Sequence, residues 1–500
     1  MENKIKFRNH ISVILENSLK VIFTIVAVFL LNFLSDIEES GMQSGDILWM
    51  LLIFAAILAL LLGYQVLIWA KTYITLDENT LVIERNTLNK KKNTIGLKNV
   101  SNVNLEQNLL EMLLGTCKVK LDTNSLSTAD QTDVNIVLKK SDAEKFRALV
   151  LARAEGMEMA EAIQHATKSE ETTAGENSSD ETNLLRGDLG DIILHGLFSI
   201  RIYAIVISIA FLVFEIALVS GLFQALAAGE PVDFAEIMSL VFSGFWLAAI
   251  SLTGIVREFV KYLNFSIERK KDKVYLNYGL FKKVAYSVPV DKINGIKLTQ
   301  TLIARMAKRY MVEIINVGMD DDDNEVNTFF LPYAKIDKIK DQLHLLLPEF
   351  DEALEIKEEK QPAAVWLFSI PWWILYVVIV AVIYVMVGNY AEDPELKNAV
   401  IFAAIVIAAW RLICKLAGFF TKAIKVDEKF LKIVDGGFAK RTLFVKYDKI
   451  QYVTGKQCVI AKHFGIQKGT ISLLASLKNR IHELPYFKEN DMEQLKNRLI

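Results

Sequence analysis

A stretch of about forty residues occurs three times in this chain, at 80–119, 273–312 and 430–469, and the three copies align without a gap. Copies about 160 to 190 residues apart are too widely spaced for the units of a solenoid, so each copy is expected to be a whole domain. Three sets of residues fall in register: Val100, Ile293 and Ile450; Gln107, Gln300 and Gln457; and Gly115, Lys308 and Gly465.

The apolar segments predict membrane spans. The chain combines 52% hydrophobic with 23% charged residues, which is typical of spans joined to polar domains. Three segments without charges are long enough to cross a bilayer core of roughly 30 Å, namely 47–70, 237–256 and 363–387. Each has a weaker companion across a short acidic connection, at 20–35, 202–222 and 398–420. The sequence therefore predicts three helical hairpins with six spans.

The charges around these hairpins predict their orientation. The hairpin tips, at 36–46, 223–236 and 388–397, contain a single lysine among several acidic residues. The N-terminal segment and every segment after a hairpin are rich in Lys and Arg, and such segments stay on the cytoplasmic side. We expect a multi-pass protein of the cell membrane with both termini and all three repeats in the cytoplasm.

Each repeat has the pattern of short strands followed by a helix. Strand-like runs such as 73–76 and 81–85 are separated by turns, and Asn86, Gly279 and Gly436 align at a turn where a positive φ is expected. Apolar residues at helical spacing end each copy. The predicted fold class is membrane α-helical hairpins plus α+β or mainly-β domains, each domain with a C-terminal helix.

These patterns divide the chain into hairpins, domains and linkers. The low-complexity segment around 169–182 is poor in large apolar residues and predicts a flexible tether. The predicted order is hairpin 1–72, domain 73–154, flexible linker 155–188, hairpin 189–262, domain 263–350, short linker 351–361, hairpin 362–420 and domain 421–500.

The repeat resembles a known bacterial domain. A pair of spans followed by strands, an apolar residue seven positions before Gln, and a Gly eight positions after it resembles the pleckstrin-homology-like (PH-like) domain of the bPH2 (DUF304) type. Three such units, each behind a hairpin, are similar to the YdbT-type membrane proteins of Gram-positive bacteria over nearly the whole chain. The second copy departs from the pattern at Lys308. The resemblance implies a PH-like fold on a membrane anchor and leaves the biochemical activity largely undefined. It does not rest on a catalytic signature, and it does not imply a phosphoinositide ligand.

The best candidate site is a basic turn that recurs in all three copies. Near an anionic leaflet each such charge gains about 1 kcal/mol, so the turn is a candidate for binding lipid headgroups or a partner; the alternative is a solvated turn that follows the positive-inside bias. The candidate residues are Lys90, Lys91, Lys92, Lys282, Lys283, Lys440 and Arg441.

Other polar residues allow two interpretations each. The three aligned glutamines either serve a ligand or domain contact or hydrogen-bond to loop backbone. Glu215, inside a predicted span, is either a functional intramembrane group or a neutral, hydrogen-bonded carboxyl. The acidic run 320–323 lacks the alternating ligands of an EF-hand and is expected to be a solvated loop.

These observations favour a scaffold over an enzyme. The sequence contains no P-loop, nucleophile elbow, dinucleotide fingerprint, zinc motif or kinase motif set, so neither catalysis nor a cofactor or metal is expected. A net charge of −2 gives no indication of nucleic-acid binding. We expect a membrane scaffold that binds anionic lipid, a membrane-protein partner or its own copies, with envelope protection as a physiological outcome. The alternative is a transporter or channel component that uses the six-span bundle.

The predicted topology is testable by labelling intact cells. Single cysteines at Glu39, Gly229 and Glu392, in the hairpin tips, should react with an impermeant thiol reagent, whereas cysteines at Lys91, Lys283 and Lys440 should not. Labelling at any of the three lysine positions from outside would contradict the three-hairpin topology.

Overall fold

The computed structural model describes residues 4–499 except 41–43, 88, 124–135, 155, 158–160, 162–182, 201, 230–233, 317–327, 391–393 and 476–479. The acidic run 320–323 and most of the predicted tether therefore lie outside the described residues. The chain forms two compact units, Met1–Glu181 with Asn277–Ser287, and Thr182–Leu276 with Val288–Ile500. Strands and helices are numbered below in chain order.

The first unit contains a helical hairpin, two small antiparallel sheets and a closing helix. Strands β1 to β4 form one sheet in that order, and β5, β6 and β7 follow each other in the second. The elements are β1 Ile5–Phe7, α1 Ser12–Ser40, α2 Ser44–Ala70, β2 Thr72–Leu76, β3 Thr80–Asn86, β4 Lys90–Gly96, β5 Val100–Gln107, α3 Leu109–Leu114, β6 Thr116–Thr123, β7 Ile136–Lys139 and α4 Lys140–Ala154.

The core of the first unit lies between its sheets and α4. Alternate residues of β2, such as Ile74 and Leu76, are buried, as the period of two in a strand requires. Phe146 of α4 is also fully buried, and its ring lies 5.0 Å from that of Phe7 in an edge-to-face arrangement. Each such buried side chain stabilises the fold by about 1.5 to 3 kcal/mol.

The second unit contains the other two hairpins and most of the other two copies. Its largest sheet has seven strands in the order β14-β13-β12-β18-β17-β16-β15, and β19, β20 and β21 form a separate sheet. Residues 277–287 of the first unit include the end of β10 and most of β11. The strands are β8 Asn183–Arg186, β9 Ser266–Lys270, β10 Lys273–Tyr278, β11 Lys283–Pro289, β12 Ile293–Gln300, β13 Arg309–Asn316, β14 Phe329–Lys335, β15 Glu359–Lys360, β16 Ala423–Val426, β17 Phe430–Gly436, β18 Lys440–Lys446, β19 Ile450–Lys456, β20 Ile466–Leu473 and β21 Ile481–Lys488. The helices are α5 Leu189–Phe198, α6 Ile202–Ala227, α7 Phe234–Tyr262, α8 Leu302–Met306, α9 Ile336–Leu346, α10 Asp351–Glu355, α11 Ile370–Tyr390, α12 Pro394–Thr421, α13 Val459–His463 and α14 Glu489–Leu499.

Apolar helices support a membrane location. Within the described residues, three helices are long and apolar enough to cross a membrane, Leu48–Ala70, Ala363–Val387 and Asn398–Thr421, and the bent pair Ser12–Leu19 and Val21–Phe29 adds a fourth if it is counted as one span. The apolar windows of the three helices are not buried within the protein, as expected of surfaces that face lipid. Helices α6 and α7 cover the remaining predicted spans, and the six-span arrangement stays a prediction.

A short strand precedes each hairpin and pairs with the strand that follows it. These antiparallel pairs are β1 with β2, β8 with β9, and β15 with β16. They connect both ends of each hairpin directly to the adjoining sheet. Sequence reasoning missed all three leading strands, since runs of two to four residues are too short for a strand pattern; β8 lies inside the predicted linker 155–188.

The turn after the short helix has the same geometry in every copy. Gly115, Lys308 and Gly465 have φ values of 65°, 52° and 61°, so the second copy adopts the left-handed conformation despite its side chain. At the other aligned turn, Gly279 and Gly436 have positive φ. The expectation was wrong for Asn86, which lies outside that region.

Candidate interaction site

In the second unit, the second and third copies are joined by strand pairing. Strand β12 of the second copy pairs antiparallel with β18 of the third, from Gly295 opposite Val445 to Gln300 opposite Lys440. This pairing closes the edge of β12, so backbone groups that would otherwise face solvent are hydrogen-bonded.

In the first unit, β5 of the first copy pairs antiparallel with residues 283–285 of β11, which belong to the second copy, and the register is the same. Gln107 lies opposite Lys283, Glu106 opposite Val284 and Leu105 opposite Ala285. The aligned glutamine of one copy thus faces the aligned lysine of the next copy in both cases. The sequence showed these residues as two separate repeated features, and the structure brings them together.

The aligned glutamines have a local structural role. The Nε2 atoms of Gln107, Gln300 and Gln457 donate hydrogen bonds to the carbonyl oxygens of the residues nine positions further on, at 2.8, 2.9 and 3.2 Å. Each bond ties the end of one strand to the start of the next across the short helix. The interpretation that these side chains hydrogen-bond to backbone is confirmed, and the acceptors are the first residues of the following strands.

One aligned position shows how closely the paired strands approach. A Cβ atom on Gly295 would lie 2.6 Å from the carbonyl oxygen of Phe444, so the second copy requires glycine there. The first copy has Asn102 at this position, and Asn102 Oδ1 accepts a 2.9 Å hydrogen bond from Ser287 Oγ. The two strand pairs therefore share one register, but a close backbone approach at glycine is found in one pair and a side-chain hydrogen bond in the other.

In the third copy, the equivalent edge is exposed. Strand β19 has β20 as its sole neighbour within the part of the chain that the structure describes. Gln300 of the covered strand β12 is 3% exposed, whereas Gln457 and most residues of β19 are exposed. The surface that is covered in two copies is open in the third.

The charge of this edge also changes along the chain. The residue before the aligned glutamine is Glu106, Thr299 or Lys456. In the first copy, Glu106 lies 3.3 Å from Lys120 and 3.5 Å from Lys282 of the incoming hairpin. In the third copy, Lys456 lies opposite Lys468 in the ladder, so the acidic edge has become basic.

The structure separates the seven basic candidates. Lys282 is 3.5 Å from Glu106, and Lys283 and Arg441 lie at the paired edges just described. Lys440 donates to both carboxylate oxygens of Glu358 at 2.9 and 3.2 Å. Burial alone would raise the pKa of Glu358, but the hydrogen bond and charge of Lys440, with the charges of Lys432 and Lys360, lower it.

In the first copy the basic turn is exposed. Lys90, Lys91 and Lys92 are all exposed on β4, at the edge of its sheet, and Lys92 lies 2.8 Å from Glu84. Lys90 pairs with Asn86, whose N–H donates to the carbonyl oxygen of Lys71 at 2.9 Å. Because Lys71 directly follows the span Leu48–Ala70, this turn lies beside the end of the span.

Comparison with known proteins decides the family. The family model described as Bacterial PH domain matches residues 21–154, 197–346 and 365–500. The chain belongs to the bacterial PH domain family. It is also 20% identical over 343 residues to the UPF0699 transmembrane protein YdbT of Bacillus subtilis (strain 168), covering 67% of this chain and 66% of that protein, just under two thirds. No solved structure matches.

Glu111 and Glu215 have buried carboxyl groups. Glu215 of α6 is buried, and its Oε1 has no hydrogen-bond partner among the described residues, so its role stays a prediction. Sequence reasoning missed Glu111, whose Oε2 accepts a 2.6 Å hydrogen bond from the N–H of Asn108. Burial, with a contribution from nearby Glu16, raises the pKa of Glu111 to about 7. The Asn-x-x-Glu spacing of a capping box is the signal that reveals it.

Replacing Gly295 with alanine should weaken the pairing between the second and third bacterial PH domains. The added Cβ has to displace the backbone of β18, and overpacking of this kind costs about 1 to 3 kcal/mol. The measurement is the melting temperature of the full-length protein in detergent, which should fall by several degrees. Gly63→Ala is the matched control, because nothing lies within 4 Å of its added Cβ. Equal melting temperatures for Gly295→Ala and the wild type would contradict the close approach.

Proposed function

We propose that this protein is a non-enzymatic, integral membrane scaffold whose three cytoplasmic PH-like domains bind each other edge to edge and present the last open edge to a protein partner. Membership of a PH-like membrane family supports a role without catalysis. The distribution of Lys and Arg supports the cytoplasmic orientation. The observation that carries the proposal is the exposure of β19, since the equivalent strands β5 and β12 are both covered.

An exposed edge strand suits partner binding by strand addition. Its N–H and C=O groups form a ready row of hydrogen-bonding sites for an extended segment, and alternate side chains of that segment supply specificity. The edges of β5 and β12 already accept an antiparallel strand in one register. We therefore expect the partner of β19 to be extended and antiparallel, with the residue opposite Gln457 at the position of Lys283 and Lys440.

The charge at this edge selects an acidic partner. Lys456 lies opposite Lys468 in the ladder, and like charges directly opposite each other destabilise a sheet. A third strand with an acidic residue beside Lys456 relieves this repulsion. Strand β4 of a second molecule would instead place Lys91 opposite Lys456, given the same register. The edge therefore favours an acidic segment of another protein over self-association through β4.

The transporter hypothesis is not favoured by the family relationship. The repeat includes a large domain outside the predicted spans, unlike transporters whose repeats consist of broken helices around a midplane site. Envelope protection is compatible with a scaffold as its physiological outcome, and it depends on the identity of the partner.

Binding of anionic lipid is a second candidate function, and it is supported in the first copy. Lys90, Lys91 and Lys92 are exposed beside the end of a span, where a negative leaflet attracts them by about 1 kcal/mol per charge. The corresponding basic residues of the later copies lie at paired edges or, for Lys440, bind Glu358.

Binding of peptides to the full-length protein in detergent tests the edge proposal. The acidic peptide EEENTIG, which is the β4 sequence with Glu in place of its lysines, should bind more tightly than the native KKKNTIG. Each cross-strand charge pair contributes about 0.2 to 1 kcal/mol, so the two affinities should differ by about threefold or more. Fluorescence anisotropy of labelled peptides gives both dissociation constants.

Charge reversal at the edge supplies the matched control. Lys456→Glu should reverse the preference between the two peptides, whereas Lys488→Glu, the same change at the end of β21, should leave it unchanged. Tighter binding of the native peptide to the wild type would show that β19 accepts β4 of a second copy. Failure of both peptides to bind would remove the support for an open acceptor edge.

Removal of the basic turn tests the lipid function. Phosphatidylglycerol should raise the melting temperature of the detergent-solubilised wild type more than phosphatidylcholine does, and the triple variant Lys90→Gln, Lys91→Gln, Lys92→Gln should lose most of that difference. Higher salt should weaken the effect, because exposed charges are screened.

The control removes three exposed charges elsewhere, by Lys488→Gln, Lys496→Gln and Arg498→Gln. This variant has the same net charge as the basic-turn variant, and it should keep the response to phosphatidylglycerol. An equal loss in both variants would assign the lipid effect to overall charge instead of the basic turn.

A further inference from the structure

A short apolar helix follows the aligned glutamine in every copy. These helices are α3, α8 and α13, and each exposes at least one large apolar side chain. Leu113 is 83% exposed, Met306 79% and Val459 88%. Further exposed apolar residues flank them in the first and third copies, namely Leu109, Leu110, Leu114, Ile460 and Phe464. Apolar surface that recurs at one place in three domains indicates an interaction surface.

In the first two copies, contacts at the start of the short helix connect it to the chain at the entrance of its own hairpin. Asn108, which precedes α3, donates from Nδ2 to Glu16 Oε1 of α1 at 3.4 Å. Thr301, which precedes α8, donates from Oγ1 to the carbonyl oxygen of Phe198, four residues before α6 begins. In two copies, therefore, the short helix lies where the chain approaches the first helix of a predicted hairpin.

The third copy has the same arrangement through aromatic residues. Phe368, two residues before α11, stacks on Tyr486 with ring centroids 4.9 Å apart. Tyr486 lies on β21, and its neighbour Phe487 is opposite Gln467 of β20, the strand that starts three residues after α13 ends. Helix α13 therefore also lies near the start of a membrane helix, which here is the span Ala363–Val387.

We propose that the three short helices insert their exposed apolar side chains into the interfacial region of the bilayer that contains the spans. The start of a span marks the boundary of the membrane, and the contacts above position the short helices at that boundary. Burial of apolar side chains at the headgroup boundary is favourable. At α13, the exposed Lys462 and His463 fit this position, because basic side chains extend toward the headgroups.

This inference is independent of the proposed scaffold function, because it concerns the lipid of the protein's own membrane and not a partner of β19. Each PH-like domain is then held to the bilayer in two places, by its hairpin and by its inserted short helix. Two contacts restrict the orientation of the domain relative to the bilayer. The lipid surface is favoured over a protein as the occupant because the feature recurs beside the hairpin in every copy.

Fluorescence quenching in nanodiscs tests the insertion. Full-length protein with Cys117→Ala, Cys414→Ala and Cys458→Ser accepts a single cysteine labelled with an environment-sensitive fluorophore at Leu113, Met306 or Val459. Lys98→Cys is the matched control, because it is exposed and lies beyond the opposite end of β4 from Lys90. The three test positions should be quenched at least twofold more than Lys98 by lipid-borne nitroxide, and less than Lys98 by iodide.

The melting temperatures of the unlabelled variants distinguish insertion from misfolding. Each variant should melt within a few degrees of its cysteine-free parent, since the three substituted side chains are exposed. Iodide quenching at Leu113 and Val459 equal to that at Lys98, without quenching by lipid-borne nitroxide, would overturn the proposal. Quenching at Lys98 equal to that at the test positions would also overturn it, because the lipid contact would then not be specific to the short helices.

Discussion

The unpaired edge of a β-strand is the constraint on which much of this architecture depends. An antiparallel sheet of three or four strands leaves backbone donors and acceptors at its edges, and proteins must cover these groups or protect them. Here β12 is covered by β18 of the following copy, and β5 is covered by residues of the following copy in the same register. A repeated domain thus supplies the strand that its neighbour needs, without any contribution from a ligand.

The same hydrogen-bonding requirement connects the membrane helices to the domains. In a bilayer, the backbone of a polypeptide has to satisfy its hydrogen bonds within helices, and beyond the helix ends its groups bind water or other parts of the protein. The short strands β1, β8 and β15 meet this requirement by pairing with the first strand after each hairpin. Trp69, near the end of α2, adds a 2.7 Å hydrogen bond from its Nε1 to the carbonyl oxygen of Asn9. Each hairpin is therefore attached to the adjoining sheet by the chain segments at both of its ends.

The sequence predicted the features that side-chain pattern determines. Charge-free segments predicted apolar helices, and the resemblance of the repeat to a known family predicted bacterial PH domains. The aligned Gln107, Gln300 and Gln457 were correctly interpreted as backbone-binding residues. The strand pairing of one copy with the next had no such signal, because backbone hydrogen bonds have no residue signature that specifies their partner.

Other features depend on local geometry that residue type does not determine. Lys308 adopts a left-handed turn as its glycine counterparts do, and in all three copies the N–H of this residue donates to the carbonyl oxygen three positions before it. Asn86 aligns with two glycines of positive φ and does not share it. The candidate lysines also looked equivalent in sequence, yet Lys440 binds Glu358 while Lys90 is exposed. The first two copies therefore share one backbone register at their paired edges, while the residue before the aligned glutamine changes from Glu106 to Thr299 and then to Lys456.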